Sequence, residues 1–123
     1  MKSREQKNTE KNLRRKISNW NSKIKKRGGS FRVSLEWCKQ FTVCSYCKAK
    51  LDISIYSLDH KIPISKGGKD EESNLHLVCN KCNRAKGSLA DIEFLALMIF
   101  LDTMKPESKW LIYRKLLLGW RAG

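Results

Sequence analysis

The sequence predicts a small α+β domain stapled by a metal and flanked by helices at both ends. Three observations predict it: two Cys-x-x-Cys pairs, a strand-like alternation between them, and apolar residues at helical spacing on either side. With 123 residues, the chain fits one domain with helical extensions. A unit this small buries too little surface to dispense readily with a staple.

The elements follow in order. Over residues 9–27, Leu13, Ile17, Trp20 and Ile24 stand four, three and four apart, which is a helical stripe. Arg14, Arg15, Lys16, Lys23, Lys25 and Lys26 surround it, and Gly28-Gly29 ends it. Ser34 has the chemistry of an N-cap for a short helix carrying Leu35, Trp37, Cys38 and Phe41. Ile53 and Ile55 alternate with polar neighbours, and Ile55 to Ile64 reads as a strand closed by the Gly67-Gly68 turn. Asp70-Glu71-Glu72 reads as a solvent-exposed acidic loop, and residues 83–88 as the first turns of a helix ending near Gly87. Ser88, three residues before Asp91, suggests the start of an apolar helix over about 89–103. Pro106 breaks it, and a last helix carries Trp110, Leu111, Tyr113, Leu117, Leu118 and Trp120. The chain thus divides into a basic helical arm (1–29), a stapled core (30–88) and an apolar helical hairpin (89–123).

Charge narrows the partner. The net charge is +14, of which residues 1–27 supply eleven Lys/Arg against two acids. A sequence pI near 9.8 favours a polyanion. The amino terminus has no apolar segment or cleavage site of a secretory signal, and the longest apolar run, Phe94 to Leu101, is too short to span a bilayer. A cytoplasmic or host-cell interior, with no membrane association, is the expected location. In a reducing compartment, paired cysteines are expected to hold a metal. Cys44, Cys47, Cys79 and Cys82 can complete a tetrahedron around Zn²⁺, and four thiolates leave no open position, so this zinc is structural. Cys38, on an apolar helix face, reads as a buried small hydrophobe.

Between and after the cysteine pairs lie Asp59-His60, Asn74 and Asn83. With the cysteines, Pro63, Gly67-Gly68, Ser73-Asn74-Leu75 and the closing Lys86-Gly87 in order, residues 44–87 closely resemble the HNH endonuclease family, in an H-N-N variant with a four-cysteine zinc. The flanks, Gly28 to Trp37 and Ser88 to Gly119, look like small phage-type members. The resemblance implies a ββα-metal (His-Me finger) core, and metal-dependent hydrolysis of DNA, most simply double-stranded, to 5′-phosphate and 3′-hydroxyl ends.

Such hydrolysis needs an activated water, charge neutralisation at the phosphate and relief for the departing oxygen. An imidazole suits proton abstraction near pH 7, and the resemblance makes His60 the general base. Asp59 offers a hard anionic oxygen, and the resemblance makes it a ligand of the catalytic ion. Asn83 stands where many members have His. An all-oxygen set, Asp59 with Asn83, favours Mg²⁺ or Mn²⁺. Asn74 is matched to the middle position of the motif, whose role is to brace the loop holding the base, so it is expected to bond backbone groups. His76, in the apolar alternation Leu75-His-Leu-Val78, matches no motif position and reads as structural or surface-facing. Lys61, Lys66, Lys69, Lys81, Arg84 and Lys86, with Arg14 and Arg15 of the arm, are candidate phosphate contacts.

Two other functions fit part of the pattern. A zinc-stabilised nucleic-acid-binding module without catalysis accounts for the charge and cysteines but not for Asp59, His60 and Asn83. A packaging or assembly accessory would use the apolar C-terminal helices to dock a partner or second copy. One geometric tension is visible in advance. Adjacent strand residues face opposite sides, so Asp59 and His60 share a site only across a bend or bulge, or by gripping a phosphate from two sides.

Overall fold

The computed structural model describes residues 1–52 and 56–118. Helix α1 (Arg4–Lys26) starts at a capping box in which Ser3 Oγ accepts from the Gln6 amide and Gln6 Oε1 accepts from the Ser3 amide. It buries Leu13 and Ile24, with Ile17 and Trp20 packed partly under it, which is the predicted stripe. Burying two such aliphatic side chains contributes roughly 1.5–3 kcal/mol each. Asn21 adds a polar latch: its side chain accepts from the Val33 amide at 2.7 Å and donates to the Val33 carbonyl at 2.9 Å. Helix α2 (Leu35–Lys39) is capped by Ser34, whose Oγ accepts from the Trp37 amide. Phe41 lies beyond its end.

Strands β1 (Tyr56–His60) and β2 (Leu75–Cys79) form a two-stranded antiparallel sheet in the register Tyr56↔Cys79 to His60↔Leu75. The expected strand to Ile64 stops at His60, because Pro63 cannot continue a ladder and a 3-10 turn forms at Ile64–Lys66. Ile53 and Ile55 lie outside the described residues, as does Trp120. Helix α3 (Asn80–Lys86) begins directly at the end of β2 and starts earlier than residue 83. Helix α4 (Asp91–Asp102) is not capped by Ser88. Its first turn is closed by Glu93, which accepts from the Ala90 amide at 2.8 Å, while the Asp91 amide is held by the Lys61 carbonyl. Helix α5 (Pro106–Leu117) starts with proline in its first turn.

One core joins these elements. Leu13 and Ile24 of α1 share it with Leu75, Leu77 and Val78 of β2, Phe94, Met98 and Leu101 of α4, and Leu116 of α5. The fold is therefore mixed: a two-stranded sheet flanked by helices, with four cysteines gathered at one end. Among the described residues, no helix is long and apolar enough to cross a membrane.

Candidate active site

The four cysteines converge from two turns. Cys44 and Cys47 sit on a knuckle closed by the Lys48 amide donating to the Cys44 carbonyl and by the Cys44 amide donating to the Ala49 carbonyl. Lys48 adopts φ +66° to make that turn. Cys79 ends β2, and its Sγ accepts from the Cys82 amide in the first turn of α3. The four ligand sulfurs lie within 4.8 Å of one another, and Cys47 and Cys79 are 3.8 Å apart. Zn–S bonds of about 2.3 Å in a tetrahedron require sulfurs about 3.8 Å apart, so the set fits zinc. The chemistry agrees. Thiol donors Cys79 and Cys82 push the Cys44 pKa down, and the pKa of Cys79 is raised to about 11 and that of Cys82 further still, chiefly through their bonds with Cys44. Four thiolates at this spacing need a dication between them. Tyr113 of α5 adds an O–H donor 3.2 Å from Cys82 Sγ.

Tyr46, between Cys44 and Cys47, links this centre to the strand. Its hydroxyl donates to Asp59 Oδ2 at 2.8 Å, and His76 Nε2 donates to the same oxygen at 2.7 Å from across the ladder. Lys86 of α3 sets its ammonium 3.1 Å from Asp59 Oδ1 and 3.0 Å from the His60 carbonyl oxygen. Phe94 closes the group edge-on against Tyr46. Asp59 is 4% exposed. Burial alone would raise its pKa, but the bonds from His76 and Tyr46 and the Lys86 charge outweigh it and hold the carboxyl below its ordinary value. Asn83 lies over the same strand, its amide nitrogen 3.2 Å from Ser57 Oγ, two residues before Asp59 on the same face.

His60 faces the other way. The ladder runs pair for pair through Asp59↔His76 and His60↔Leu75, so no bulge brings the neighbours together. His60 Nε2 lies 2.7 Å from Asp70 Oδ1. Asp70 in turn accepts two bonds from the Arg27 guanidinium, at 2.7 and 2.8 Å. Within the acidic triplet only Glu71 and Glu72 are exposed, whereas the Asp70 side chain is 6% exposed and turned inward. The triplet is therefore not the solvated loop that its composition suggests, because Arg27 and His60 both bond one of its carboxylates.

The loop between the strands is braced by one side chain. Asn74 Oδ1 accepts from the Ile62 amide, and its Nδ2 donates to the carbonyls of Ile62 and Lys69. Gly67 and Gly68 make the turn possible. Gly67 has φ +88°, and a Cβ on Gly68 would stand 1.7 Å from the Ile62 carbonyl oxygen.

The candidate site residues thus fall in two groups. Asp59 and Asn83 share the helix-covered face of the hairpin, while His60 stands on the opposite face, with the Asn74-braced loop beyond it. Sequence reasoning missed Tyr46, Asp70 and Arg27, and it gave His76 no role at the site although it bonds Asp59. It placed Lys86 among surface cations, but Lys86 is 1% exposed and faces Asp59 and the His60 carbonyl, because a buried carboxylate needs a cation beside it. Lys66, Lys69, Lys81, Arg84, Arg14 and Arg15 are exposed and Lys61 is half-buried; Lys66 pairs with Glu93 and Arg14 with Glu10.

Residues 44–89, spanning both cysteine pairs, the hairpin and α3, match the HNH endonuclease family model. This stretch is thus similar to HNH endonuclease domains, and the longer flanking helices lie outside the matched region. Comparison with curated proteins finds no match.

Proposed function

We propose that the protein is a metal-dependent DNA endonuclease in which His60 is the general base. The observation that carries this reading is the family match over 44–89, within which Asp59, His60, Asn74 and Asn83 stand in motif order. Asp59 and Asn83 would hold one Mg²⁺ or Mn²⁺ ion. The donors suit it: Asp59 Oδ1 keeps one lone pair beyond Lys86, Asn83 offers an amide oxygen, and Mg²⁺ needs few protein ligands because it keeps its waters. The bound ion supplies charge neutralisation at the scissile phosphate and relief for the departing 3′-oxygen. The chain supplies the rest. His60 takes a proton from the attacking water, and Asn74 holds the loop that follows it. Lys86 screens the Asp59 charge, and half-buried Lys61 with exposed Lys69, Lys81, Arg84 and Arg15 bind the DNA backbone. The basic arm (1–29) extends that surface from the core (30–88). The apolar hairpin (89–123), with Ile92, Ile99, Phe100, Trp110 and Leu111 exposed, would dock a second copy or a packaging partner. Light scattering on the purified chain reads the first of these.

Purified protein should cut plasmid DNA when Mg²⁺ is added. His60→Ala should abolish cutting while leaving zinc content and DNA binding intact; undiminished cutting by that variant rules out the base. One observation favours a second reading, a zinc-stabilised binding module without catalysis: the carboxylate of Asp59 is already enclosed by three protein partners. DNA binding by the zinc-loaded wild type with no cleavage under Mg²⁺ or Mn²⁺ would establish that alternative.

A further inference from the structure

We propose that Asp70 is the positioning residue for His60: it takes the Nε2–H of the imidazole, fixes that tautomer, and leaves Nδ1 as the nitrogen that accepts the proton. The proposal rests on His60 acting as base.

The geometry assigns the hydrogen. Asp70 accepts two bonds from Arg27, and its pKa is held down to about 2, first by the Arg27 guanidinium and then by His60. An ionised carboxylate can only accept, so the hydrogen in the 2.7 Å contact with His60 belongs to Nε2. A neutral imidazole with Nε2–H has its lone pair on Nδ1. In the proton-transfer step, an O–H bond of water breaks, its proton moves to Nδ1, and the Nε2–H stays in place, shared with Asp70. The resulting imidazolium is stabilised by the same carboxylate.

The arm builds the support for this contact. Arg27 is the residue at which α1 ends, and its two parallel bonds fix the plane of the carboxylate as one bond would not. Gly29, two residues on, lets Asp70 approach: a Cβ there would stand 2.8 Å from both Asp70 Cβ and Ile24 Cγ2. A simple ion pair between arm and loop needs only Arg27 and Asp70. It does not require the oxygen facing Arg27 Nη2, Oδ1, to meet His60 Nε2 as well.

The test uses the full-length, zinc-loaded chain with Asp70→Asn, Asp70→Glu, Arg27→Gln and His60→Ala. The chain has two histidines, so loss of signals in His60→Ala assigns long-range ¹H–¹⁵N spectra. In alkaline buffer the wild type is expected to carry the His60 proton on Nε2, and Asp70→Asn to lose that single tautomer. Asp70→Asn should lower kcat about 10- to 100-fold with KM and DNA affinity unchanged, Arg27→Gln should lower it less, and Asp70→Glu should recover part of the loss. A wild-type His60 protonated on Nδ1, or an Asp70→Asn kcat within about twofold of wild type, overturns the Asp70 assignment alone. Cutting by His60→Ala at the wild-type rate overturns the base assignment, and this proposal with it.

Discussion

On the helix-covered face of the hairpin, Asp59 is ringed by Tyr46, His76 and Lys86, whereas on the opposite face His60 answers to Asp70 and, through it, to Arg27. Consecutive residues of one regular strand are thereby wired to different parts of the molecule. Asp59 is tied to the cysteine knuckle by a tyrosine that sits between Cys44 and Cys47. His60 is tied to the N-terminal arm by an ion pair spanning 43 residues. The difference teaches how a two-stranded sheet can hold two polar groups in separate settings. Each face borrows rigidity from a separate anchor, and each anchor should fail separately.

Removing zinc should have the largest effect. Both the knuckle and the start of α3 carry cysteines that could hold it, and structural zinc in small domains contributes on the order of 10 kcal/mol. Chelation, or Cys79→Ser, is expected to abolish the cooperative thermal transition followed by circular dichroism. A chelated protein that still melts cooperatively would contradict a structural role.

Next comes the Asp59 face. Lys86→Met keeps the aliphatic volume but leaves a buried carboxylate without its cation, which should cost about 3–5 kcal/mol in urea unfolding. A loss below about 1 kcal/mol would mean that Tyr46 and His76 suffice.

The His60 face should respond to acid in a defined window. The folded pKa of Asp70, about 2, lies below the unfolded value near 3.9. Its contribution is therefore present above about pH 4 and is lost as pH falls through about 2. The difference in melting temperature between wild type and Asp70→Asn should narrow across that interval. A difference that stays constant would show that the Arg27–Asp70 pair adds no pH-dependent stability.

The smallest effect concerns the knuckle itself. Lys48 holds a left-handed φ that glycine adopts freely, so Lys48→Gly should stabilise by about 0.5 kcal/mol net of the added unfolded-chain entropy. A lower urea midpoint would show that the Lys48 ammonium, which donates to the Ser45 carbonyl, matters more than the backbone strain.

What could be read from the residues was what local chemistry decides. Two Cys-x-x-Cys pairs in one short chain point to a metal, and the Leu13–Ile24 stripe follows from helical periodicity alone. The spacing of Asp59, His60, Asn74 and Asn83 was legible through the family resemblance. The site's supports were not, because they depend on distant partners. Asp70 turns inward only because Arg27 and a side-chain-free Gly29 stand beside it. Lysine reads as a surface residue, and Lys86 is interior only because Asp59 is. The strand's end at His60 depends on the loop beyond it, where Asn74 captures Ile62 from both sides.

That capture makes the loop depend on an amide where a carboxylate would not serve. Spontaneous deamidation would convert Asn74 to aspartate, exchanging the NH₂ that now donates to the Ile62 and Lys69 carbonyls for an oxygen that can only accept. Two attractive contacts would become oxygen–oxygen repulsions. A change of a single dalton would then act as a wedge beneath the turn that follows His60.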